Sequence, residues 1–287
     1  MNRVKIKNSD ISITRVGFGC SNFGGIGSDP KLVGKGNSEE EAHRILDVAY
    51  QYGINYFDTA TTYGNGKSEE ILGKWIEKKR IPRESIVISS KVSRKSGLFP
   101  WNKKGLSKKR IVQQIKKSLK RLRIDFLDIF YIHAPDPFTP VNEVLYALNE
   151  CIGMGLTKLI GISNVNIEYL NESLDTSKKN GWNGYSVVQN SYNYLQRSDE
   201  LDVIPICREN DILYIGYSPL AGGILSGKYQ MGCEYPENSR LSLRKNLYRS
   251  YLTEENFRKI DKLKSIADTR KLNLPILMYQ WLYKNKN

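Results

Sequence analysis

Short apolar runs alternate with amphipathic stretches along most of the chain. Between the runs, apolar residues recur at the spacing of one helix face, as in Ala42, Ile45, Leu46 and Ala49. Strands that alternate with helices over the whole length favour a parallel sheet. We count seven strands of this kind, near Phe18, Phe57, Ile88, Phe130, Ile160, Val188 and Ile215, and the first is predicted to be a buried strand over residues 16–20.

Two sequence fingerprints of other parallel-sheet folds are missing. No G-x-G-x-x-G motif follows a strand, and the chain has no G-x-x-x-x-G-K-[ST] motif. The regular alternation is therefore typical of an α/β protein with a (β/α)8 TIM barrel. We expect one barrel domain over residues 1–287.

Local signals place several element boundaries. Ser38 followed by Glu41 is a capping-box pattern and predicts a helix start; Ser68, Ser107 and Thr253 are further predicted starts. A small hairpin is predicted around residues 8–10. Residues 21–37 form a glycine-rich loop, for which a flexible surface loop and a ligand-covering role both remain open.

Composition narrows the class of protein. The hydrophobic content of 40% allows a large core, and the four cysteines form no C-x-x-C pair. The net charge of +14 is spread over helical segments, which favours a lysine-rich solvated surface over two alternatives, phosphate-rich ligands and a nucleic-acid or other polyanion site. The sequence has no apolar run of about 18 residues and no signal-peptide pattern. We therefore expect a cytoplasmic protein that binds neither nucleic acid nor membrane.

Polar side chains follow the predicted strands where each strand ends. They are Asp58, Lys91, His133, Asn164, Gln189 and Tyr217, and Tyr63 follows Asp58 closely. Each has an ordinary structural explanation when it is taken alone, such as a turn cap or a surface lysine. In a barrel, however, the carboxyl ends of the strands meet at one face. With two histidines and no ligand cluster, the sequence predicts no metal site.

Such a group has a definite chemistry. A tyrosine, with a reference pKa of about 10, is a poor acid at neutral pH. A neighbouring ammonium lowers that pKa, and a carboxylate keeps the ammonium charged and oriented. A histidine can orient a carbonyl oxygen or assist proton transfer. The set would protonate an oxygen while a hydride arrives at carbon.

These residues resemble the aldo-keto reductase family. The matching segments are 53–64 with Asp58 and Tyr63, 89–91 with the lysine, 131–133 with the histidine, 161–164, and 217–229. Residues 105–107, the Asp136-Pro137 turn and 220–229 are similar to the branch that includes potassium-channel beta subunits. The resemblance implies reduction of aldehydes or ketones to alcohols with NADPH, which is favoured over NADH.

The resemblance also implies roles for individual residues. Tyr63 would donate the proton, Lys91 would lower its pKa, Asp58 would hold Lys91, and His133 would orient the carbonyl. The implied cofactor-binding residues are Cys20, Ser163, Asn164, Gln189, Tyr217, Ser218, Pro219, Leu220, Gly222, Gly223, Lys228 and Arg240. Tyr217 would stack on the nicotinamide, Lys228 would meet the pyrophosphate, and Arg240 would meet the 2′-phosphate that distinguishes NADPH.

Family members continue past the last helix predicted here. We therefore expect the eighth strand and the C-terminal helices to be missing, with weaker cofactor binding as a consequence. A nicotinamide-binding regulatory subunit with little turnover and a truncated product with impaired cofactor binding are the alternatives. The partner is a small carbonyl substrate whose identity lies in the loops, where Phe99 and Trp101 are candidate pocket residues, and the oligomeric state stays open.

Overall fold

A computed structural model describes residues 2–94 and 105–284. The strands are β1 Arg3–Lys5, β2 Ser12–Thr14, β3 Phe18–Gly19, β4 Tyr56–Asp58, β5 Val87–Val92, β6 Leu127–Ile132, β7 Thr157–Ser163, β8 Val187–Ser191 and β9 Leu213–Tyr217. The helices are α1 Glu39–Gln51, α2 Lys67–Lys79, α3 Lys108–Leu122, α4 Val141–Gly153, α5 Ile167–Asn180, α6 Val203–Glu209, α7 Arg240–Arg244, α8 Glu254–Thr269 and α9 Leu274–Lys284.

Over the residues that the structure describes, the main sheet has seven strands in the order β3-β4-β5-β6-β7-β8-β9. The pairs from β3 to β7 are parallel, with Asp58 opposite Ser89 and Lys91 opposite Tyr131. Consecutive strands that lie side by side and are joined by helices define a (β/α)8-type fold, so the predicted fold class is confirmed. The predicted hairpin is also present, as the antiparallel pair of β1 and β2.

Residues group into two compact units: Met1–Val188 with Cys207–Leu213, and Gln189–Ile206 with Tyr214–Asn287. In the first unit, β5 and β6 are buried along their whole length. Burial on both faces explains the mostly apolar sequence of β6, because helices cover such strands. The second unit has its own apolar cluster, in which Leu225, Tyr229 and Leu241 pack with the inner faces of α8 and α9. The single domain remains a prediction.

Two local predictions are wrong. The first barrel strand covers only Phe18–Gly19 rather than residues 16–20, and Val16 is 39% exposed. Ser68 is not a helix cap: α2 is capped by Gly66 in a left-handed conformation, with φ of 92°. The Ser68 hydroxyl is buried instead, where it donates to the Cys20 carbonyl at 2.8 Å. Because α2 begins at Lys67, Ser68 lies inside the helix rather than at the capping position.

Helix starts elsewhere follow the sequence. Ser38 and Glu41 form the complete capping box, with each side chain bound to the other residue's backbone N–H. Thr253 caps α8 by accepting from Asn256 N. Within the described ranges, no helix is long and apolar enough to cross a membrane.

Candidate active site

A buried ion pair lies at the centre of the candidate site. Lys91 has no solvent-exposed surface, and its Nζ donates to Asp58 Oδ2 and to the Thr59 carbonyl, the latter at 3.0 Å. A buried charge is tolerated only where it is paired and hydrogen-bonded. Burial lowers the pKa of Lys91, but Asp58 and Tyr63 raise it, and the net pKa lies above its ordinary value. Lys91 is therefore a charged ammonium.

Asp58 is fixed from its other side as well. Ser89, directly opposite it in the sheet, donates its hydroxyl to Asp58 Oδ1 at 2.5 Å. Tyr56 Oη lies 3.1 Å from Ser89 Oγ and 3.2 Å from Tyr131 Oη. Because a serine hydroxyl carries one hydrogen, which here goes to the carboxylate, Tyr56 is the donor to Ser89. One carboxylate oxygen thus faces the lysine while the other is held by a chain of buried hydroxyls.

Tyr63 follows β4 in a 3-10 turn, Tyr63–Gly66, that leads into α2. The Lys91 ammonium lies 5.3 Å from the centre of its ring. Burial raises the pKa of Tyr63, Lys91 lowers it and Asp58 raises it, so the net pKa lies above the ordinary value. The sequence predicted a lowered pKa; the lysine does act in that direction, but burial outweighs it. Tyr63 is therefore a protonated phenol at neutral pH.

His133 stands edge-on to Tyr63, with ring centres 5.6 Å apart and an interplanar angle of 81°. Burial and then Lys91 lower its pKa to about 3. The imidazole is consequently neutral. His133 Nδ1 lies 2.9 Å from Ser93 Oγ. The His133 backbone carbonyl accepts a hydrogen bond from Asn164 Nδ2 at 2.8 Å. The four predicted catalytic residues are thus brought together in the first unit.

The glycine-rich loop is attached to the turn that carries Tyr63. Bridges close the loop on itself between Phe23 and Asn37 and between Gly25 and Val33. Gly64 N donates to the Gly27 carbonyl at 3.1 Å, and the hydroxyls of Ser28 and Thr62 lie 2.8 Å apart. A Cβ on Gly25 would lie 2.7 Å from Gly64 Cα. The loop is therefore packed against the turn that carries Tyr63 and supports it.

Three predicted cofactor residues also lie in the first unit. Cys20 is fully buried, and its backbone N donates to the Asp58 carbonyl at 2.8 Å. Burial and Asp58 raise the pKa of its thiol well above the ordinary value. Ser163 is buried at the end of β7, and Asn164 follows it with φ of 56°, a left-handed conformation that asparagine tolerates. Asn164 Nδ2 also donates to Ser163 Oγ at 3.1 Å.

The other predicted cofactor residues belong to the second unit. They are Gln189 on β8, Tyr217 at the end of β9, Ser218, Pro219, Leu220, Gly222 and Gly223 in and before the 3-10 turn Ala221–Ser226, Lys228, and Arg240 at the start of α7. Ser218 and Ala221 have φ of 57° and 46°. Left-handed backbone at non-glycine residues is sparsely populated and concentrates at ligand sites. A Cβ on Gly223 would lie 3.7 Å from Lys228 Nζ, so that ammonium lies beside this turn.

Several site residues were not predicted. Ser89 and Lys91 on β5, and Ser93 directly after it, are spaced two residues apart, so they point to one side of the sheet. Period-two spacing from Lys91 could have identified both serines. Tyr56 and Tyr131 read as core residues in an apolar run, and no sequence signal shows that their hydroxyls meet. Phe99 and Trp101 lie outside the described residues.

Metal chemistry was not expected from the sequence. In the parts of the chain that the structure describes, no group of three or more His, Cys, Asp and Glu side chains is arranged to hold a metal ion.

The fold and the cluster define a class of protein: a (β/α)8-type fold whose strand ends carry a phenol, a buried lysine–aspartate pair and a neutral imidazole. Residues 15–287 match the Aldo/keto reductase family. This chain belongs to the aldo-keto reductase family, an assignment that supports an oxidoreductase acting on carbonyl compounds.

Curated relatives include two kinds of protein. A "Probable voltage-gated potassium channel subunit beta" of Arabidopsis thaliana is 38% identical over 251 residues, covering 86% of this chain and 76% of the relative. The "Versiconal hemiacetal acetate reductase" of Aspergillus parasiticus is 30% identical over 304 residues, covering 98% of this chain and 85% of that protein. The predicted similarity to channel beta subunits is thus confirmed, alongside similarity to a reductase.

A solved structure supports the fold. The thermostable aldo-keto reductase Tm1743, in complex with the inhibitor epalrestat, matches with a TM-score of 0.72 and 27% sequence identity. The match covers 98% of this chain and 85% of that chain.

Proposed function

We propose that the protein is an NADPH-dependent reductase that converts aldehydes or ketones to alcohols, with Tyr63 as the proton donor. The observation that carries the proposal is the fully buried Lys91, paired with Asp58 and in contact with Tyr63. Removing a lysine from water is costly. A buried lysine beside a tyrosine and a neutral histidine is typical of a functional site rather than of a structural core.

Each residue of the cluster has a different role in delivering the proton. Tyr63, whose pKa is raised, keeps its proton until an oxygen with developing negative charge accepts it. The Lys91 ammonium then stabilises the tyrosinate that remains. Asp58 keeps Lys91 charged and aimed. His133, neutral and fixed through Ser93, is placed to orient the carbonyl oxygen.

The second unit has the chemistry to hold an anionic cofactor. The turn Ala221–Ser226 is left-handed at three positions, and Lys228 lies beside Gly223. Backbone of this kind forms concavities that bind anions, and a lysine adds a point charge for phosphate. Arg240 is the candidate for the 2′-phosphate, because its planar fork matches phosphate oxygens. The nicotinamide cofactor, when bound, supplies the hydride.

The proposal is tested by replacing the proton donor. The full chain is incubated with NADPH and 4-nitrobenzaldehyde, and cofactor oxidation is followed by absorbance. We expect turnover in the wild type and a loss of at least about 100-fold in Tyr63→Phe, since general acid catalysis is worth that much or more. NADPH binding, measured by fluorescence, should be retained.

A matched control variant is Tyr52→Phe. Tyr52 lies at the end of α1 and is 75% exposed, so its hydroxyl has no part in the cluster. Its activity should equal that of the wild type. Equal activity in Tyr63→Phe, or no NADPH oxidation by the wild type with a panel of aldehydes and ketones, would refute the proposal.

A second candidate function is a nicotinamide-binding regulatory subunit with little turnover. It is favoured by the 38% identity to a relative named as a potassium-channel subunit. It predicts tight NADPH binding, slow oxidation with every carbonyl tested, and a stable oligomer in sizing experiments. NADPH binding measured by fluorescence, together with NADPH oxidation in the presence of the carbonyl panel, separates this subunit from a reductase, which turns over many times.

A further inference from the structure

His133 can contribute to carbonyl chemistry in only one of its two neutral forms. Burial and Lys91 keep the imidazole neutral, with a pKa of about 3. A neutral imidazole has one nitrogen that donates and one that accepts. A carbonyl oxygen, on which negative charge develops during reduction, needs a donor. The position of the single ring hydrogen therefore decides whether His133 assists the reaction or opposes it.

One ring nitrogen already has a partner. Ser93 Oγ lies 2.9 Å from His133 Nδ1. Ser93 follows β5 directly and stands two residues after Lys91, on the same side of the strand. The contact leaves Nε2 as the nitrogen available to a ligand. One strand thus supplies both the ammonium beside Tyr63 and the hydroxyl beside His133.

Both partners of this contact are fixed through their backbones. Arg110 donates from Nε and Nη2 to the Ser93 carbonyl, at 3.0 and 2.8 Å. The His133 N–H donates to the Val92 carbonyl at 2.9 Å, and the His133 carbonyl accepts from Asn164. The distance between hydroxyl and ring is therefore set by the backbones of β5 and β6 and by α3.

The direction of the hydrogen bond follows from basicity. An imidazole nitrogen has a conjugate-acid pKa of about 6.5, whereas a serine hydroxyl is a far weaker base. A hydroxyl that donates to the nitrogen consequently forms the stronger bond of the two arrangements. With Nδ1 accepting, the ring hydrogen lies on Nε2.

We propose that Ser93 is a positioning residue that holds His133 in its Nε2–H form, so that the imidazole donates a hydrogen bond to the substrate oxygen. The proposal rests on the proposed reductase function for its consequence in catalysis. The tautomer itself can be read without any substrate. No proton leaves His133 in this scheme, since Tyr63 supplies the proton that the product alcohol gains.

The chain is well suited to a direct measurement, because it has only two histidines, His43 and His133. Long-range proton–nitrogen correlation spectra of protein labelled in its histidines, at about pH 7.5, distinguish the two neutral tautomers. His43 is an internal reference: its Nε2 lies 3.0 Å from the Ile71 carbonyl, which can only accept. His43→Gln assigns the signals by removing one set.

The expected spectra are specific. In the wild type and in Ser93→Thr, which keeps the hydroxyl, His133 should show a protonated Nε2 and an unprotonated Nδ1. In Ser93→Ala the His133 signals should move toward a mixture of tautomers, while those of His43 stay in place. A control from the same strand is Ser90→Ala, whose hydroxyl bonds to Glu69 instead; it should leave the His133 tautomer unchanged.

Kinetics supply the second measurement. Ser93→Ala should lower kcat for aldehyde reduction by roughly 10-fold or more, because misorientation of a catalytic group is costly. Its dissociation constant for NADPH should not change, and Ser93→Thr should recover most of the rate.

Two results would overturn the assignment: a wild-type His133 protonated on Nδ1, or a Ser93→Ala spectrum identical to that of the wild type. Failure of the reductase proposal looks different. A wild type that reduces no carbonyl refutes that function, whereas the spectra still decide the role of Ser93.

Discussion

At the scale of single residues, burial decides the protonation state of Tyr63 and His133, whereas the charge of Asp58 decides that of Lys91. Burial is the largest effect on the pKa values of Tyr63, Lys91 and His133. It keeps the phenol protonated and the imidazole neutral, and only the lysine, through Asp58, remains charged. The sequence could identify these three residues and Asp58. It could not show whether burial or charge prevails at each pKa, because a pKa depends on how much water the fold excludes.

The raised pKa of Tyr63 predicts the pH dependence of reduction. A proton donor is active below its pKa, so a raised value moves the loss of activity to higher pH, above the ordinary value of 10.0. His133, with a pKa of about 3, changes charge only in acid. We therefore expect kcat/KM for an aldehyde to stay level from about pH 6 to pH 9. A decline centred near neutral pH, in protein shown by its melting curve to be folded, would contradict this balance.

At the scale of elements, helices were predictable where their signals are local. Ser38 and Thr253 cap the helices that the sequence assigns to them. Ser68 does not cap α2, because the helix already begins at Lys67 and the buried Ser68 hydroxyl contacts the Cys20 carbonyl. The short helix α7 was not predicted, and its Leu241 is buried in the second unit's cluster. Its apolar spacing over five residues is too brief for a periodic signal, so packing decides the conformation.

The candidate site also combines features that local sequence signals predict with features that depend on tertiary contacts. The four predicted catalytic residues could be found from the sequence, because they lie at or just after predicted strand ends and a barrel brings those ends to one face. The Tyr56–Ser89 and Ser93–His133 contacts join neighbouring strands. Their register depends on pairing between distant segments, which a single sequence does not specify.

The contact between α2 and α3 gives a test at this scale. A Cβ on Gly73 in α2 would lie 2.5 Å from the Arg121 carbonyl oxygen and 2.6 Å from the Leu122 backbone. Because backbone cannot move aside as a flexible side chain can, Gly73→Ala should push the helices apart. We expect a loss of about 1–3 kcal/mol in the free energy of unfolding, measured with urea.

Gly153 supplies the matched control. It is the last residue of α4, has no atom within 4 Å of an added Cβ, and does not need a positive φ. Gly153→Ala should therefore stabilise the protein by about 0.5 kcal/mol, since alanine loses less backbone freedom on folding. The packing argument fails if both variants shift stability in the same direction.

At the scale of the whole molecule, the net positive charge determines which small ligands the protein attracts. The chain carries 44 Lys and Arg against 30 Asp and Glu, a net charge of +14. Several lysines and arginines are paired on the surface, such as Lys74 with Glu39 and Arg258 with Glu254. Exposed pairs of this kind contribute little stability. The excess positive charge instead creates a field that attracts small anions.

That field predicts how salt affects the proposed cofactor. NADPH is strongly anionic, so its dissociation constant should rise by about 5-fold or more between about 50 and 500 mM NaCl, as screening shortens the range of the attraction. The control is the KM for an uncharged aldehyde, which should change little. An NADPH dissociation constant that is independent of salt would show that net charge has no part in binding.

The contact between the glycine-rich loop and the Tyr63 turn has a consequence for how this sequence can diverge. A Cβ on Gly25 meets Gly64 Cα at 2.7 Å, and a Cβ on Gly64 meets the Phe23 carbonyl at 2.8 Å. A change in the loop therefore alters the cost of a change in the turn, so substitutions at the two places are epistatic. Substitutions in residues 21–37 that alter substrate preference are therefore constrained, because each of them also affects the position of Tyr63.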